Sequence, residues 1–187
     1  MDPIESLEKS YEITHSIIAN VPADKWSAQS PCSEWDARGV VNHVIGGAKM
    51  VTACVAGQEP DFAALGGDLC GADPAASYRA AADEALATFR ADPSVLGRPV
   101  KMPFGEMPGA VVAGIFTNDN FGHAWDLAKA TGQSTDIAPD FAEGVLAAAK
   151  MFITPELRMP GLFGPEQTAP EGATKADHVA AFMGRTI

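Results

Sequence analysis

Apolar residues recur every three or four positions along most of this chain, and that period confines it to helices packed on helices. Between residues 2 and 20, Ile4, Leu7, Tyr11, Thr14, Ile17 and Ile18 trace one stripe, which Val21-Pro22 ends. After a loop over 23–32, Ser33 and Asp36 make a Ser-x-x-Asp capping-box pattern. It predicts a second helix running to about Gly57, with Val40, Val44, Ala48, Val51 and Val55 on its apolar face. Residues 58–73, rich in Gly, Asp and Pro, read as a loop, and Pro74 opens a third helix over 74–91. The prolines of 97–108 predict a short hairpin or an extended connection. A fourth helix then starts at Pro108 or Gly109 and stops at Gly132, and an alanine-rich helix follows near 139–152. Residues 153–187 are rich in Pro and Gly and end on the amphipathic ADHVAAFMGR. The expectation is an all-α bundle over 1–152, with a short hairpin before the fourth helix and 153–187 as a C-terminal extension packed on the same domain.

With 187 residues, such a chain buries a core without disulfides or a structural metal. Its three cysteines, Cys32, Cys54 and Cys70, cannot all pair, and a reducing cytoplasm is the simplest setting. A formal charge of −11, from 24 acids against 13 bases, argues against nucleic acid and anionic membrane as partners. The acidic start MDPIESLEKSYE does not read as a signal peptide. No stretch approaches the roughly 18 apolar residues of a membrane span. A small-molecule substrate, handled by a monomer or homodimer, is the expectation that remains.

The fourth helix breaks its own pattern. Its stripe runs Val112, Phe116, Asp119, His123, Leu127 and Ala130, so an acid and an imidazole stand where apolar residues belong. Burying a lone carboxylate is costly, so it is paired, protonated or bound to a metal. Two readings stay open: a buried hydrogen-bonded pair, or two metal ligands on one helix turn. His43 lies in the middle of the second helix, about 60° to one side of its apolar stripe. Gly46 and Gly47, one turn on, leave room for another helix or a ligand. Two histidines and a carboxylate with one open position suit Zn²⁺, and also Ni²⁺ or Fe²⁺. Asp126 returns to within about 20° of Asp119. On spacing, either aspartate is the carboxylate ligand and the other its support. His15 and His178 read as surface or structural residues, Cys54 as core, and Cys32 as a loop cysteine open to solvent.

The segments SPCSEWDARGVVNHVIGG (30–47) and FGHAWDLAKATGQ (121–133) resemble the DinB-like metal-binding proteins of actinobacteria. These are related to the N-terminal domain of mycothiol-dependent maleylpyruvate isomerase. VKMPFGEMPG and FGPEQTAPEGATKADHVAAFMGR are similar to the same family, so the likeness spans nearly the whole chain. The resemblance implies a DinB-like four-helix bundle with a divalent metal near one end, zinc first, with nickel or iron as alternatives. It implies His43, Asp119 and His123 as the ligands and Asp126 in support. It also implies a metal-activated low-molecular-weight thiol, of the mycothiol or bacillithiol type, serving a transferase or isomerase. Two departures stand out. The isomerases usually carry Glu where this chain has Asp119, and the larger ones have a C-terminal domain that about 35 residues here cannot supply. The alternatives are a metal-water hydrolase or lyase, with Asp126 or Asp36 as base, and a metal- or ligand-binding module without turnover.

Overall fold

The computed structural model describes residues 1–159 and 162–187. Its long helices are α1 (Pro3–Ala19), α2 (Ala37–Val55), α4 (Pro74–Ala91) and α5 (Gly109–Thr131), with the short α3 (Phe62–Leu65) between the second and third of these. α6 (Pro139–Phe152) and α7 (Lys175–Phe182) follow. β1 (Pro99–Met102) and β2 (Gly105–Pro108) form an antiparallel hairpin ahead of α5, pairing Val100 with Met107 and Lys101 with Glu106. Val100 and Met102 point into the core while Pro99 and Lys101 face out, the alternation that holds such a ribbon against helices. The described residues are therefore helical apart from this hairpin and their loops. Among the described residues no helix is long and apolar enough to cross a membrane.

Helix α5 organises the packing. α1 and α2 both pack on α5, and α4 packs on those same two helices, closing a ring of four. Leu7, Tyr11, Val44, Val51, Tyr78, Phe89 and Phe116 fill that ring. The other side of α5 carries a second apolar cluster, where Phe121, Trp125 and Ala128 meet α6 and α7 through Val145, Ala149, Val179 and Met183. With apolar neighbours on both sides, every residue from Phe116 to Ala128 is buried except Asp119, which is partly open. A helix covered all round loses the one-sided stripe of a surface helix.

Start signals decide the ends. Asp2 caps α1 and closes a capping box with Glu5. The box expected at Ser33–Asp36 does not form. Asp36 is itself the N-cap of α2, accepting from the Gly39 N–H at 2.8 Å, so the helix starts at Ala37. The reason lies in the preceding loop, where the Ser30 hydroxyl donates to the Trp35 carbonyl at 2.7 Å and Gln29 bridges to Asp36. These bonds hold residues 30–35 in a turn and move the cap three positions along. A second capping box, Thr174 with Asp177, starts α7. The loop over 58–73 also holds more structure than its composition suggests. Asp61 caps α3, and Asn42 then binds the loop back to α2 by accepting from the Leu69 N–H and donating to the Gly67 carbonyl.

Candidate metal centre

His43 stands in the second turn of α2, and Asp119 and His123 stand one turn apart on α5. The approach of these two helices is made possible by Gly47. A methyl there would come within 3.2 Å of the Phe116 ring and 4.0 Å of Asp119 Oδ2. The room beside His43 is thus taken by the neighbouring helix. Gly46 faces Leu69 instead, at an ordinary contact distance of 3.5 Å.

The three side chains meet at Asp119. Its Oδ1 is 3.4 Å from His43 Nε2 and 3.5 Å from His123 Nε2, and the three donor atoms all lie within 4.8 Å of one another. The rings of His43 and His123 meet edge to face at 4.7 Å. Trp35, carried by the turn before α2, stacks on His43 at 4.4 Å and leans over His123 at 5.6 Å. Asp119 keeps 28% of its side chain open and His43 36%, so the cluster has one face toward solvent.

Behind His123 the arrangement is closed. Its Nδ1 is bonded to Asp126 Oδ2 at 3.0 Å, so Nε2 is the nitrogen left to face Asp119. Asp126 is fully buried and also accepts two bonds from Arg185, Nε to Oδ1 at 3.1 Å and Nη2 to Oδ2 at 2.9 Å. Arg185 reaches this point because the segment after α7 folds against α5. Gly122 leaves space for the Met183 sulfur, and Gly184 turns the chain at φ 97° against Gly164, whose backbone would meet any Cβ there. The Trp125 indole N–H donates to buried Asp177 at 2.7 Å and fixes α7 to the same helix.

Charge follows this geometry. Burial disfavours ionised Asp119, but the two imidazoles outweigh it and hold its carboxyl well below the usual range. For His123, burial opposes the charge, and the Asp119 and Asp126 carboxylates overcome it, raising the ring to about 9. Asp126 stays ionised despite its burial because His123 and Arg185 bond to it.

Among the described residues, two groups of side chains have the proximity to hold a cation: His43, Asp119 and His123, and a second made of Cys32, His123 and Asp126. They are not equivalent. Both oxygens of Asp126 are engaged by a guanidinium, which a cation there would have to displace. Burial, with Asp126 adding to it, also raises the Cys32 thiol, away from the thiolate that binds metal. In the first group, His43 Nε2, His123 Nε2 and Asp119 Oδ1 face one another, with no guanidinium between them to displace. For bonds of about 2.0–2.1 Å, the edge of a tetrahedral coordination shell is about 3.3–3.4 Å. The 3.4 and 3.5 Å separations match that edge, and two imidazoles with a carboxylate are a suitable donor set.

The remaining sequence candidates disperse. Asp126 is spent on Arg185 and His123, and Asp36 on capping α2, so neither is a free base beside the cluster. His15 contacts Arg79, and His178 is exposed on α7. Cys54 is core, as expected, whereas Cys32 is half-buried rather than open. Of the cations, Arg38 pairs with Asp68, Arg79 lies 3.8 Å from Asp83, Arg158 binds the Gly164 and Phe182 carbonyls, and Lys101 is exposed on β1. The sequence reading overlooked Arg185 and Trp35. A signal for the first existed, since a buried Asp126 needs a counter-charge and Arg185 directly follows the apolar run VAAFMG.

The mycothiol maleylpyruvate isomerase N-terminal domain model matches residues 8–128, a span that holds His43, Asp119, His123 and Asp126 but not Arg185. In two strains of Mycobacterium tuberculosis, an uncharacterized protein is 39% identical to this chain over 188 residues, which cover all of both chains. No solved structure matches it.

Proposed function

The chain belongs to the mycothiol maleylpyruvate isomerase N-terminal domain family, and on that premise we propose that it holds a divalent metal on His43, Asp119 and His123 and uses it to activate a low-molecular-weight thiol. The observation that carries this reading is the convergence of both imidazole Nε2 atoms on one Asp119 oxygen, at 3.4 and 3.5 Å. A metal bound there supplies a positive charge that favours the thiolate of a coordinated thiol at neutral pH. The chain's own residues do the rest. His43, Asp119 and His123 present three donors and leave a fourth direction toward solvent. Asp126 keeps the His123 proton on Nδ1, and Arg185 keeps Asp126 ionised. Trp35 walls off one side of His43 from water.

Zinc is the first choice for this donor set, with nickel and iron as alternatives. Mycothiol or bacillithiol is the proposed cosubstrate, and S-transfer to an electrophile or cis–trans isomerisation of an unsaturated acid the proposed reaction. The four long helices are read as the family's four-helix bundle, with residues 1–152 as the metal-binding unit and 153–187 as an extension packed on it. A hydrolase reading lacks a free general base, since Asp126 and Asp36 are both engaged.

Two measurements test this. Elemental analysis should find one divalent metal per chain in the wild type and almost none in His43→Ala; metal retained by that variant refutes the ligand set. The metal-loaded protein should then consume a model electrophile such as chlorodinitrobenzene faster with mycothiol or bacillithiol than without. Equal rates would discard thiol activation while leaving the metal site standing.

A further inference from the structure

On the premise that His43, Asp119 and His123 hold a metal, we infer that Trp35 is the positioning residue of His43, doing with a stacked indole what Asp126 does for His123 with a hydrogen bond. The two histidines are held differently. His123 is fixed through its Nδ1, bonded to Asp126 at 3.0 Å. His43 makes one polar contact, from Nε2 to Asp119, and among the described residues nothing bonds its Nδ1. It is also the more open of the two, with 36% of its side chain exposed against 8%. An imidazole turns about a broad torsion, so an open ring with one nitrogen unbonded needs another restraint to keep Nε2 on the metal.

The indole supplies it. Trp35 lies nearly parallel to His43, with ring centroids 4.4 Å and planes 26° apart, and it also leans on the His123 ring at 5.6 Å. Such a stack sets the plane of the imidazole without using either nitrogen. Trp35 is itself held firmly. Its carbonyl accepts from the Ser30 N–H at 3.2 Å, the Ser30 hydroxyl at 2.7 Å and the Gln29 side-chain amide at 3.0 Å, and its own N–H donates to the Cys32 carbonyl at 3.0 Å. Gly39 gives the side chain room, for a Cβ there would stand 3.0 Å from Trp35 Cβ and 3.3 Å from Cγ. A residue outside α2 and α5 thus decides where a ligand on α2 points.

Two readouts test this. In the metal-free protein the His43 ring protons lie against the indole face, and Trp35→Leu should move their NMR signals downfield at fixed pH. Chelator competition should show Zn²⁺ affinity about fivefold lower in Trp35→Leu, the worth of one aromatic pair, and within about twofold of the wild type in Trp35→Phe, which keeps a stack. Leu keeps the apolar cover, so a role in excluding water alone would leave its affinity near that of the wild type. Gly39→Val changes no ligand but crowds the indole, and it should lower affinity in the same direction as Trp35→Leu. A wild type without Zn²⁺ affinity would overturn the metal centre and this role with it. His43 signals unmoved in Trp35→Leu, equal affinities in the wild type and Trp35→Leu, or Trp35→Phe as weak as Trp35→Leu would each overturn the role of the indole alone.

Discussion

His123 turns its Nε2 toward Asp119 because its Nδ1 is already bonded to Asp126, and Asp126 is fixed by two bonds from Arg185. Groups that hold the second nitrogen of a ligating histidine typically change metal affinity 10- to 100-fold when removed. Asp126→Asn keeps the size of the side chain but loses the charge that Arg185 and His123 share. Chelator competition should therefore show metal affinity lower by about 10- to 100-fold, with His43 and Asp119 intact. Unchanged affinity would mean that Asp126 serves stability alone. Arg185→Ala tests the other end of the relay. Removing one partner of a buried ion pair strands the other, at a cost of about 3 kcal/mol. Urea unfolding should register that loss, and a variant as stable as the wild type would show that water reaches Asp126.

Adjacent glycines on α2 carry opposite meanings, which only the neighbouring element reveals. Gly47 is where α2 meets α5, and even a methyl there presses the Phe116 ring at 3.2 Å. Gly47→Val should push the helices apart, cost about 1–3 kcal/mol, and weaken metal binding by moving His43 from Asp119. Gly46 has only Leu69 beyond it, at 3.5 Å, so Gly46→Ala should gain up to about 1 kcal/mol of helix propensity and leave metal binding alone. Thermal melts with metal titrations on both variants check the pair; matching effects would show that the α2–α5 spacing is not set at Gly47. α5 itself shows why periodicity misleads at this scale. The stripe through Val112, Phe116, Asp119 and His123 is one face of a helix whose faces are nearly all covered, so Asn118, Asn120 and Asp126 are buried as well. Asn120 belongs to a polar layer joining three helices, accepting from the Tyr78 hydroxyl at 2.7 Å, with its backbone carbonyl bonded by Thr14.

Over the whole molecule, loops and termini complete what the helices begin. The loop after α3 seals one side of α2 and buries Cys70 completely, with its thiol donating to the Arg38 carbonyl. Burial raises this thiol from 9.0 to about 11. The fold prefers the protonated form, so the contribution is whole below pH 9 and is lost as pH rises toward 11. Global stability should fall by about 1 kcal/mol more between pH 9 and 10 in the wild type than in Cys70→Ala. Denaturant titrations across that interval measure the difference; parallel curves would show that the loop opens before the thiol ionises.

Local sequence carries the long helices, though not α3, and it brings the candidate ligands into view. Local period, Pro and Gly punctuation and spacing on one helix are short-range properties, so Pro74–Ala91, Gly109–Thr131 and Pro139–Phe152 were legible to within about a residue, and so was the shared face of Asp119 and His123. The start of α2 was misread, because a tertiary turn through Ser30 and Trp35 moved the cap from Ser33 to Asp36. Spacing also left the two aspartates equivalent, being about 20° apart on one helix. What separated them is contact at long range: His43, from 76 positions earlier, lies against Asp119, and Arg185, from 59 positions later, engages Asp126. The family resemblance already favours Asp119; the packed structure supplies the physical difference between the two, since a buried carboxylate takes its role from the charges that distant segments bring to it.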